Sequence, residues 1–295
     1  MELIIQYLFS GLTAGSIYAI VAIGFNIIYS ATGIINFAQG EFVMLGGMTA
    51  FSLSRIMPLL PAVLIAVLVT AGVGSAVELL FIRRMRKPTV LKTIVLTIGL
   101  SILIREAALH IWDEQVRALP FFSGTETSSV NIFGAYMSPQ VFWILGITAL
   151  AASGLQVFLK KTAAGRVMRA CASDPLAASL CGVNTRRIVN LTFALSAGMG
   201  ALGGCVVAPL TQLHYAMGTD LAIKGFTVAI LGGLGNTGGA AFAGLLLGLL
   251  ESFSISVLPA AYQDVIAMAI LLLVLFIKPA GLFGSAKMSA LKEHR

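Results

Sequence analysis

The stretch that decides the fold is Lys160–Ile188, KKTAAGRVMRACASDPLAASLCGVNTRRI, a basic insert between two apolar runs at 140–159 and 189–212. Each flanking run is long enough to cross a bilayer as a helix, because about 20 residues span a hydrocarbon core near 30 Å. The insert is therefore predicted to lie outside the membrane, between two transmembrane helices. Its capped, amphipathic character suggests that it touches something beyond the bilayer.

Local signals within the insert predict a helix of two turns over residues 175–181. Asp174 is a good N-cap, Pro175 suits the first helical position, and Gly182 suits the left-handed residue after the helix. The helix would carry an apolar face flanked by positive charge. The face consists of Leu176, Ala177, Leu180 and Cys181, and the flanking charges are Arg166, Arg169, Arg186 and Arg187.

Two interpretations of this short helix follow from its residues. An apolar face in a basic collar fits a groove on a partner protein. The same pattern also fits a surface helix that lies among lipid headgroups, which favours an apolar face with an arginine fringe. The residues alone do not choose between these two.

Composition predicts an all-α polytopic membrane protein. Hydrophobic residues make up 58% of the chain and charged residues only 11%, against about 25% in soluble domains, and the mean hydropathy is +0.96. The net charge is +7, yet most of the 19 Lys and Arg residues fall in three short segments, which argues against a nucleic-acid-binding face. The positive-inside rule places all three in the cytoplasm. These segments are Arg83–Lys92, Lys160–Arg187 and Lys278–Arg295.

The apolar runs predict about eight to nine transmembrane helices, some of them discontinuous, with a possible inverted repeat. With all basic segments inside, the N-terminus is periplasmic, the C-terminus is cytoplasmic, and the number of crossings is odd. It is nine if two shorter pieces within 221–258 both span, which we favour, and seven if they form a re-entrant hairpin. The long runs lie near 6–29, 36–56, 61–82, 92–112, 140–159, 189–212 and 262–278.

No polar stretch is long enough to bury a core of its own, so residues 1–295 are predicted to form a single transmembrane domain. Three parts of it lie outside the membrane. They are a periplasmic loop at 112–140, a cytoplasmic coupling segment at 160–188 and a cytoplasmic tail at 285–295.

Two interruptions of the apolar pattern are candidates for a substrate path. The first is GIINFAQGEFVMLGG at 33–47, and the second is LGGLGNTGGA at 231–240. Polar side chains within the membrane are costly unless they face protein or water, and broken helices in both halves of a transporter point to its substrate site. The candidate path residues are Asn36, Phe37, Gln39, Gly40, Glu41, Gly232, Gly233 and Gly235.

Simpler interpretations of both interruptions stay open at this point. Glu41 could lie at the cytoplasmic boundary and favour a helix N-terminus through the macrodipole. The glycines could allow close helix packing or a hinge, and their run lacks the lysine of a phosphate-binding loop. Arg105 and Glu106, near the outer end of their helix, are expected to face external water or to pair with neighbouring helices.

No nucleophile, base and orienting group occur together, and no His or Cys spacing resembles metal ligands. The chain is therefore predicted to be a transporter and not an enzyme. An alternative is a secondary transporter driven by an ion gradient, in which Glu41 would be the only plausible coupling carboxylate. That alternative leaves the Lys160–Ile188 segment unexplained.

The sequence resembles the membrane permease subunits of bacterial ABC importers for branched-chain amino acids. The likeness extends from about Gly11 to Gly284. Its most specific parts are NFAQGE with the following Gly46-Gly47, and GRVMRACASDPLAASLCGVN in the basic insert. LGGLGNTGGA and KPAGLFG at 278–284 support it. One departure is Ala163-Ala164 before Gly165, where a bulkier residue is expected.

The resemblance implies a multi-pass protein of the bacterial inner membrane that works in a complex. A periplasmic binding protein would deliver an amino acid, a second, related permease would complete the path, and two cytoplasmic ATPases would drive transport. ATP and Mg²⁺ would bind to those ATPases, and this chain itself would bind no cofactor. The resemblance favours the partner-groove interpretation of the basic insert. It places the coupling contact at Gly165, Arg169, Ala170, Asp174, Ala177, Leu180 and Gly182.

The substrate implied by the resemblance is a branched-chain amino acid. Importers of urea, short amides and other amino acids share the same architecture, so these substrates stay open as alternatives. Phe37, Met44 and nearby glycines could contact an apolar side chain, and Asn36 with half-helix ends could bind its polar groups.

Overall fold

The computed structural model describes residues 2–85, 89–125, 127–132, 135–256, 259 and 262–284, without the side chain of Asp264. The predicted tail at 285–295 lies outside these residues. The described part contains eleven α-helices and one antiparallel hairpin, β1 (Val130–Ile132) with β2 (Ala135–Met137). The helices are α1 (Glu2–Thr32), α2 (Gln39–Ser54), α3 (Leu59–Val77), α4 (Val90–Trp112), α5 (Gln140–Lys161), α6 (Ala163–Ser173), α7 (Pro175–Leu180), α8 (Thr185–Val207), α9 (Met217–Gly232), α10 (Thr237–Ser254) and α11 (Gln263–Ile277).

Six of these helices are long and apolar enough to cross a membrane, which confirms the predicted all-α polytopic class. They are α1, α3 with its π-helical extension Glu78–Ile82, α4, α5, α8 and α10. The helices α2 and α9 have 16 residues each and α11 has 15, which is short for a spanning helix. The predicted count of eight to nine and the inverted repeat therefore stay predictions.

The helix α1 forms the centre of the bundle, and every residue from Gly15 to Ile28 is buried. Small residues bring its backbone against α10. A Cβ atom at Gly15 would lie 2.7 Å from the carbonyl oxygen of Gly244, and Gly248 contacts the Gly15 backbone in the same way. Glycine at these positions allows close approach of two helices, which in lipid is a main source of helix association.

The described parts of the three basic segments lie at one end of the bundle, here called the basic end. Asn190, just after Arg186-Arg187, donates to Glu78 Oε2 at 2.9 Å, and Glu78 precedes Arg83 by little more than one turn. Shortly after Lys278, Leu282 N donates to Leu231 O at 2.8 Å near the end of α9, and the turn that follows α9 lines one cavity with Lys160. The segments thus share one side, as the charge pattern predicts.

At the opposite end, contacts join helix ends and loops that are distant in the sequence. Trp112 Nε1 donates to Ser52 Oγ at 2.6 Å. Arg117 and Leu213 exchange backbone hydrogen bonds of 2.9 and 2.8 Å. The segment predicted as an external loop, 112–140, lies at this end and includes the β1–β2 hairpin. It lies opposite the basic segments, and its location outside the membrane on the periplasmic side stays a prediction.

The helices α2 and α9 begin inside the bundle, and each follows a stretch of non-helical backbone. Residues 33–38 and 208–216 contain no α-helix. Gly40 contacts the carbonyl oxygen of Gly218, so the first turns of the two helices lie side by side. The predicted apolar run at 36–56 is therefore not a continuous helix.

Candidate transport and coupling sites

The first interruption places three polar side chains in the protein interior. Asn36 is fully buried, and its Oδ1 accepts the Ala38 N–H at 3.1 Å. Its Nδ2 has no hydrogen-bond partner among the described residues. Phe37 lies beside Phe226 of α9, with ring centroids 5.2 Å apart. The segment before α2 is thus turned inward and contacts α9.

Gln39 connects three helices through one side chain. Its Nε2 donates to the Ser196 carbonyl oxygen at 3.2 Å, and Ser196 Oγ lies 2.7 Å from both Gln39 Oε1 and Gly24 O. A Cβ atom at Gly24 would overlap the Gln39 amide, so only glycine leaves room for it. A buried amide with its groups satisfied in this way fixes the register of its neighbours.

Glu41 lies in the first turn of α2 but not at the edge of the bundle. It is 1% exposed, and Ser101, near the middle of α4, donates to its Oε1 at 2.9 Å. Glu41 therefore lies near a helix N-terminus, as predicted, but in the interior and not at the edge of the bundle.

The second interruption is a tight turn between α9 and α10. Gly233 and Gly235 have φ angles of 98° and 87°, which suit glycine, and Asn236 Oδ1 caps α10 by accepting the Gly239 N–H at 2.9 Å. Gly232 packs directly on the Gly239 backbone. This geometry confirms the interpretation of the glycines as packing and turn residues.

The helix α1 separates the two interruptions and contacts both. Gly24 faces Gln39, and two residues later Asn26 Oδ1 accepts the Gly235 N–H at 2.9 Å. A half-open cavity of about 510 Å³ lies next to the second interruption at the basic end. Gly235 and Arg169 both line it, so a predicted path residue and a predicted coupling residue share one wall.

Within the basic insert, the short helix predicted over 175–181 forms as α7 and is one residue shorter at its end, whereas α6 was not predicted. Asp174 Oδ1 accepts the N–H groups of Leu176 and Ala177 at 2.9 and 3.1 Å, and Gly182 has a φ of 82°. The apolar face points outward, with Leu176 69% and Leu180 81% exposed. A stable, capped helix with exposed leucines is suited to binding a complementary surface.

The preceding helix α6 attaches this segment to the bundle. Gly165 packs against the carbonyl oxygens of Phe158 and Leu159, which allows the sharp corner between α5 and α6. Met168 is buried with Ile23 and Ile27 of α1. Arg169 and Ala170 are exposed on the other side of α6.

Sequence comparison decides the family. A sequence model described as the permease component of the branched-chain amino acid transport system matches residues 7–275. The chain belongs to this family. Its function is accordingly that of a transport permease and not of an enzyme.

Individual permeases of the family are similar over almost the whole chain. A high-affinity branched-chain amino acid transport system permease, BraD of Pseudomonas aeruginosa, is 34% identical over 95% of each chain. LivH of Salmonella typhimurium, which carries the same description, is also 34% identical over 95% of each chain. The ribose import permease RbsC of Escherichia coli is 26% identical over 83% of this chain and 75% of its own.

This permease also contains a charged cluster that our sequence reasoning missed, here called the Tyr18 cluster. Tyr18 donates to Glu251 Oε2 at 2.8 Å, and Lys224 Nζ lies 3.3 Å from Glu251 Oε1. Lys224 also donates to the Tyr18 hydroxyl at 3.1 Å. Glu251 is the single charged residue of α10, and Lys224 is, with Asp220, one of two in α9. Charged residues within apolar pieces are the signal that could have found this cluster.

Proposed function

We propose that this chain is one of two related permease subunits of a binding-protein-dependent importer that carries branched-chain amino acids across the bacterial inner membrane. Two ATPases bind ATP and Mg²⁺ at the basic end, which faces the cytoplasm. The N-terminus is periplasmic, the C-terminus is cytoplasmic, and a periplasmic binding protein docks at the opposite end. Membership of the permease family supports this division of labour.

The observation that carries the proposal is the exposed apolar face of α7, a helix that packs on the bundle. Its Leu176 and Leu180 side chains extend away from the bundle while Ala178, 6% exposed, anchors it. Arg186 and Arg187 continue directly into α8. We infer that α7 docks in a groove of an ATPase, so that ATPase closure pushes on α6 and α8 and switches access to the path.

The substrate path in this proposal runs between the two interruptions and α1. Asn36, Gln39 and Glu41 supply polar groups, and Phe37 supplies an apolar surface next to Phe226. Gly40, Gly232 and Gly233 allow the close backbone contacts that shape it, and Gly235 turns the chain with a φ of 87°. Alternating access would require these contacts to have two arrangements.

The experiment that tests the proposal is purification of the tagged chain from its native host in mild detergent, with identification of every co-eluting protein. We expect ATPase subunits and a second permease to co-elute. Leu180→Asp places a charge on the docking face and should release the ATPases. The control Leu210→Asp changes a leucine 39% exposed at the opposite end and should retain them.

Two outcomes would contradict the proposal. One is a homo-oligomer without ATPases, under conditions in which a known importer stays intact. The other is full retention of the ATPases by Leu180→Asp. A homo-oligomer would favour a gradient-driven transporter, for which the buried carboxylate of Glu41 would be the coupling group to test.

A further inference from the structure

Charged side chains from α2 and α4 meet the first turn of α9, where Glu41 is buried and the Arg105 side chain is 29% exposed. We call this place the α2–α4–α9 junction and define it by Glu41, Ser101, Arg105, Gly218 and Thr219. Charges at this depth are costly and are normally retained for function.

Glu41 presents an acceptor atom that the described protein does not use. Its Oε1 accepts from Ser101 Oγ at 2.9 Å, whereas Oε2 has no hydrogen-bond partner among the described residues. Oε2 faces Gly218, where a Cβ atom would lie only 2.7 Å away. Glu41 is only 1% exposed, so bulk water does not donate a hydrogen bond to Oε2.

Arg105 brings a donor group to the same junction. It lies one turn beyond Ser101 on α4, so the residue that bonds Glu41 and the residue that bonds Thr219 share one face of this helix. Its Nη1 donates to Thr219 Oγ1 at 3.5 Å, and its Nε lies 4.0 Å from Glu106 Oε1. A guanidinium has five N–H groups, so these long contacts leave it able to bind a carboxylate.

The first turn of α9 adds a second attraction for negative charge. Met217, Gly218 and Thr219 begin this helix of 16 residues, and a helix N-terminus carries partial positive charge. The N–H groups of Met217 and Thr219 already donate to backbone carbonyl oxygens at 3.2 Å, and Asp220 lies in the same first turn, so the Gly218 N–H is the group of these three that faces the junction. The α9 N-terminus, Arg105 and the unused Glu41 oxygen are thus arranged side by side. A ligand with a cation next to an anion would match them.

We propose that the α2–α4–α9 junction binds the charged backbone groups of a zwitterionic amino acid in transit. The α-ammonium donates to Glu41 Oε2, and the α-carboxylate accepts from Arg105 and from the α9 N-terminus. This site rests on the proposed function, and it selects the amino acid class over urea and short amides, because those neutral molecules offer neither charge.

The test uses the complete importer, purified with its ATPases and reconstituted in proteoliposomes with L-leucine-loaded binding protein. Glu41→Gln and Arg105→Gln are expected to lower kcat/KM for ATP-driven uptake about tenfold to a hundredfold, since each loses a charged hydrogen bond. The control is Glu78→Gln. Glu78 is similarly buried, at 2% exposed, but lies at the basic end and accepts from Asn190.

A second measurement separates ligand binding from a structural effect. Radiolabelled L-leucine is first bound to the detergent-solubilised importer without binding protein. It is then competed with L-leucinamide, which lacks the carboxylate, or with 4-methylpentanoate, which lacks the ammonium. We expect Arg105→Gln to abolish the preference for leucine over leucinamide. Glu41→Gln should abolish the preference over 4-methylpentanoate.

The outcomes distinguish this site from the proposed function itself. A wild-type importer that takes up no amino acid with ATP would contradict the proposed function. Uptake by the wild type together with unchanged uptake and competition in both variants would overturn only the junction site. Absence of leucine binding to an importer that transports leucine would overturn it as well.

Discussion

At the scale of the residue, the interior of this permease is organised by polar side chains that each join several helices. Gln39 holds α1, α2 and α8 together through Ser196 and the Gly24 carbonyl. Each partner is buried, so breaking one bond leaves a donor or acceptor without compensation. The cost of a change here depends on whether the remaining groups find new partners.

Gly24→Ala should disturb this network, because the added methyl group overlaps the Gln39 amide and Gln39 is held by hydrogen bonds at both ends. We expect a loss of roughly 2 kcal/mol in stability, from overpacking and broken hydrogen bonds. Thermal unfolding of the purified protein in detergent measures the effect. The matched control is Gly99→Ala in α4, where nothing lies within 4 Å of the new methyl group, and which should be neutral or slightly stabilising. Equal melting temperatures for Gly24→Ala and Gly99→Ala would contradict this role of Gly24.

The Tyr18 cluster gives a second prediction at this scale. Lys224→Met leaves Glu251 buried without its cation, which should cost roughly 2 kcal/mol, below the range for a fully buried pair because the Lys224 side chain is 22% exposed. The double variant Lys224→Met with Glu251→Gln should recover part of that loss, because no uncompensated charge remains. A double-mutant cycle in thermal unfolding measures the coupling. Strict additivity would show that the pair does not act as one unit.

The sequence predicted which polar residues at the first interruption would face the interior of the protein or water, but not what they contact. Asn36, Gln39 and Glu41 were identified because polar groups within apolar runs must face protein or water. Their partners Ser196 and Ser101 lie 157 and 60 positions away. Helix rotation and register set such pairs, and no local pattern encodes them.

At the scale of the element, α7 is specified almost entirely by its own residues. Asp174, Pro175 and Gly182 fix its start and end, so the prediction of 175–181 differs from Pro175–Leu180 by one residue. The start of α2 could not be predicted in this way. Residues 33–38 are apolar enough to continue a helix, and it is the packing of Phe37 and Gly40 on α9 that selects another path.

The N-cap of α7 offers a test at this scale. Asp174→Ala removes the acceptor for two N–H groups and should weaken α7 by about 1 kcal/mol. Amide hydrogen exchange in α7 should then accelerate about fivefold, and ATPase stimulation by loaded binding protein should fall. Asp174→Asn retains a cap of similar strength and is the control. Unchanged exchange in Asp174→Ala would show that packing on the rest of the protein, and not the N-cap, stabilises α7.

At the scale of the whole molecule, a continuous set of contacts connects the docking helix to the interior. Met168 of α6 packs on Ile23 and Ile27, which flank Gly24 and therefore the Gln39 network. The helix α8 runs from the basic end directly to Ser196. In the proposed mechanism, a push on α7 would reach the start of α2 by these two routes. The charge pattern predicted which segments share one end, whereas the central position of α1 required the packed structure.

Cysteine labelling tests the predicted orientation of this assembly. Cys181 next to α7 is exposed, whereas Cys171 and Cys205 are buried, and burial also raises the pKa of the Cys171 thiol and so lowers its thiolate fraction. A membrane-impermeant maleimide should label Cys181 only after the inner membrane of spheroplasts is opened. Cys171→Ala with Cys205→Ala leaves a single thiol as a control for assignment. Labelling of Cys181 in intact spheroplasts would place the basic end outside.

The measurement that tests the central claim most directly is ATP-driven uptake of L-leucine into proteoliposomes that contain the purified importer and its binding protein. Wild-type uptake should require ATP on the side of the basic end. Leu180→Asp should abolish it, since the docking face loses its apolar contact, while the permease stays folded in the bilayer. Uptake that follows an ion gradient without ATP, or wild-type uptake by Leu180→Asp, would contradict the account.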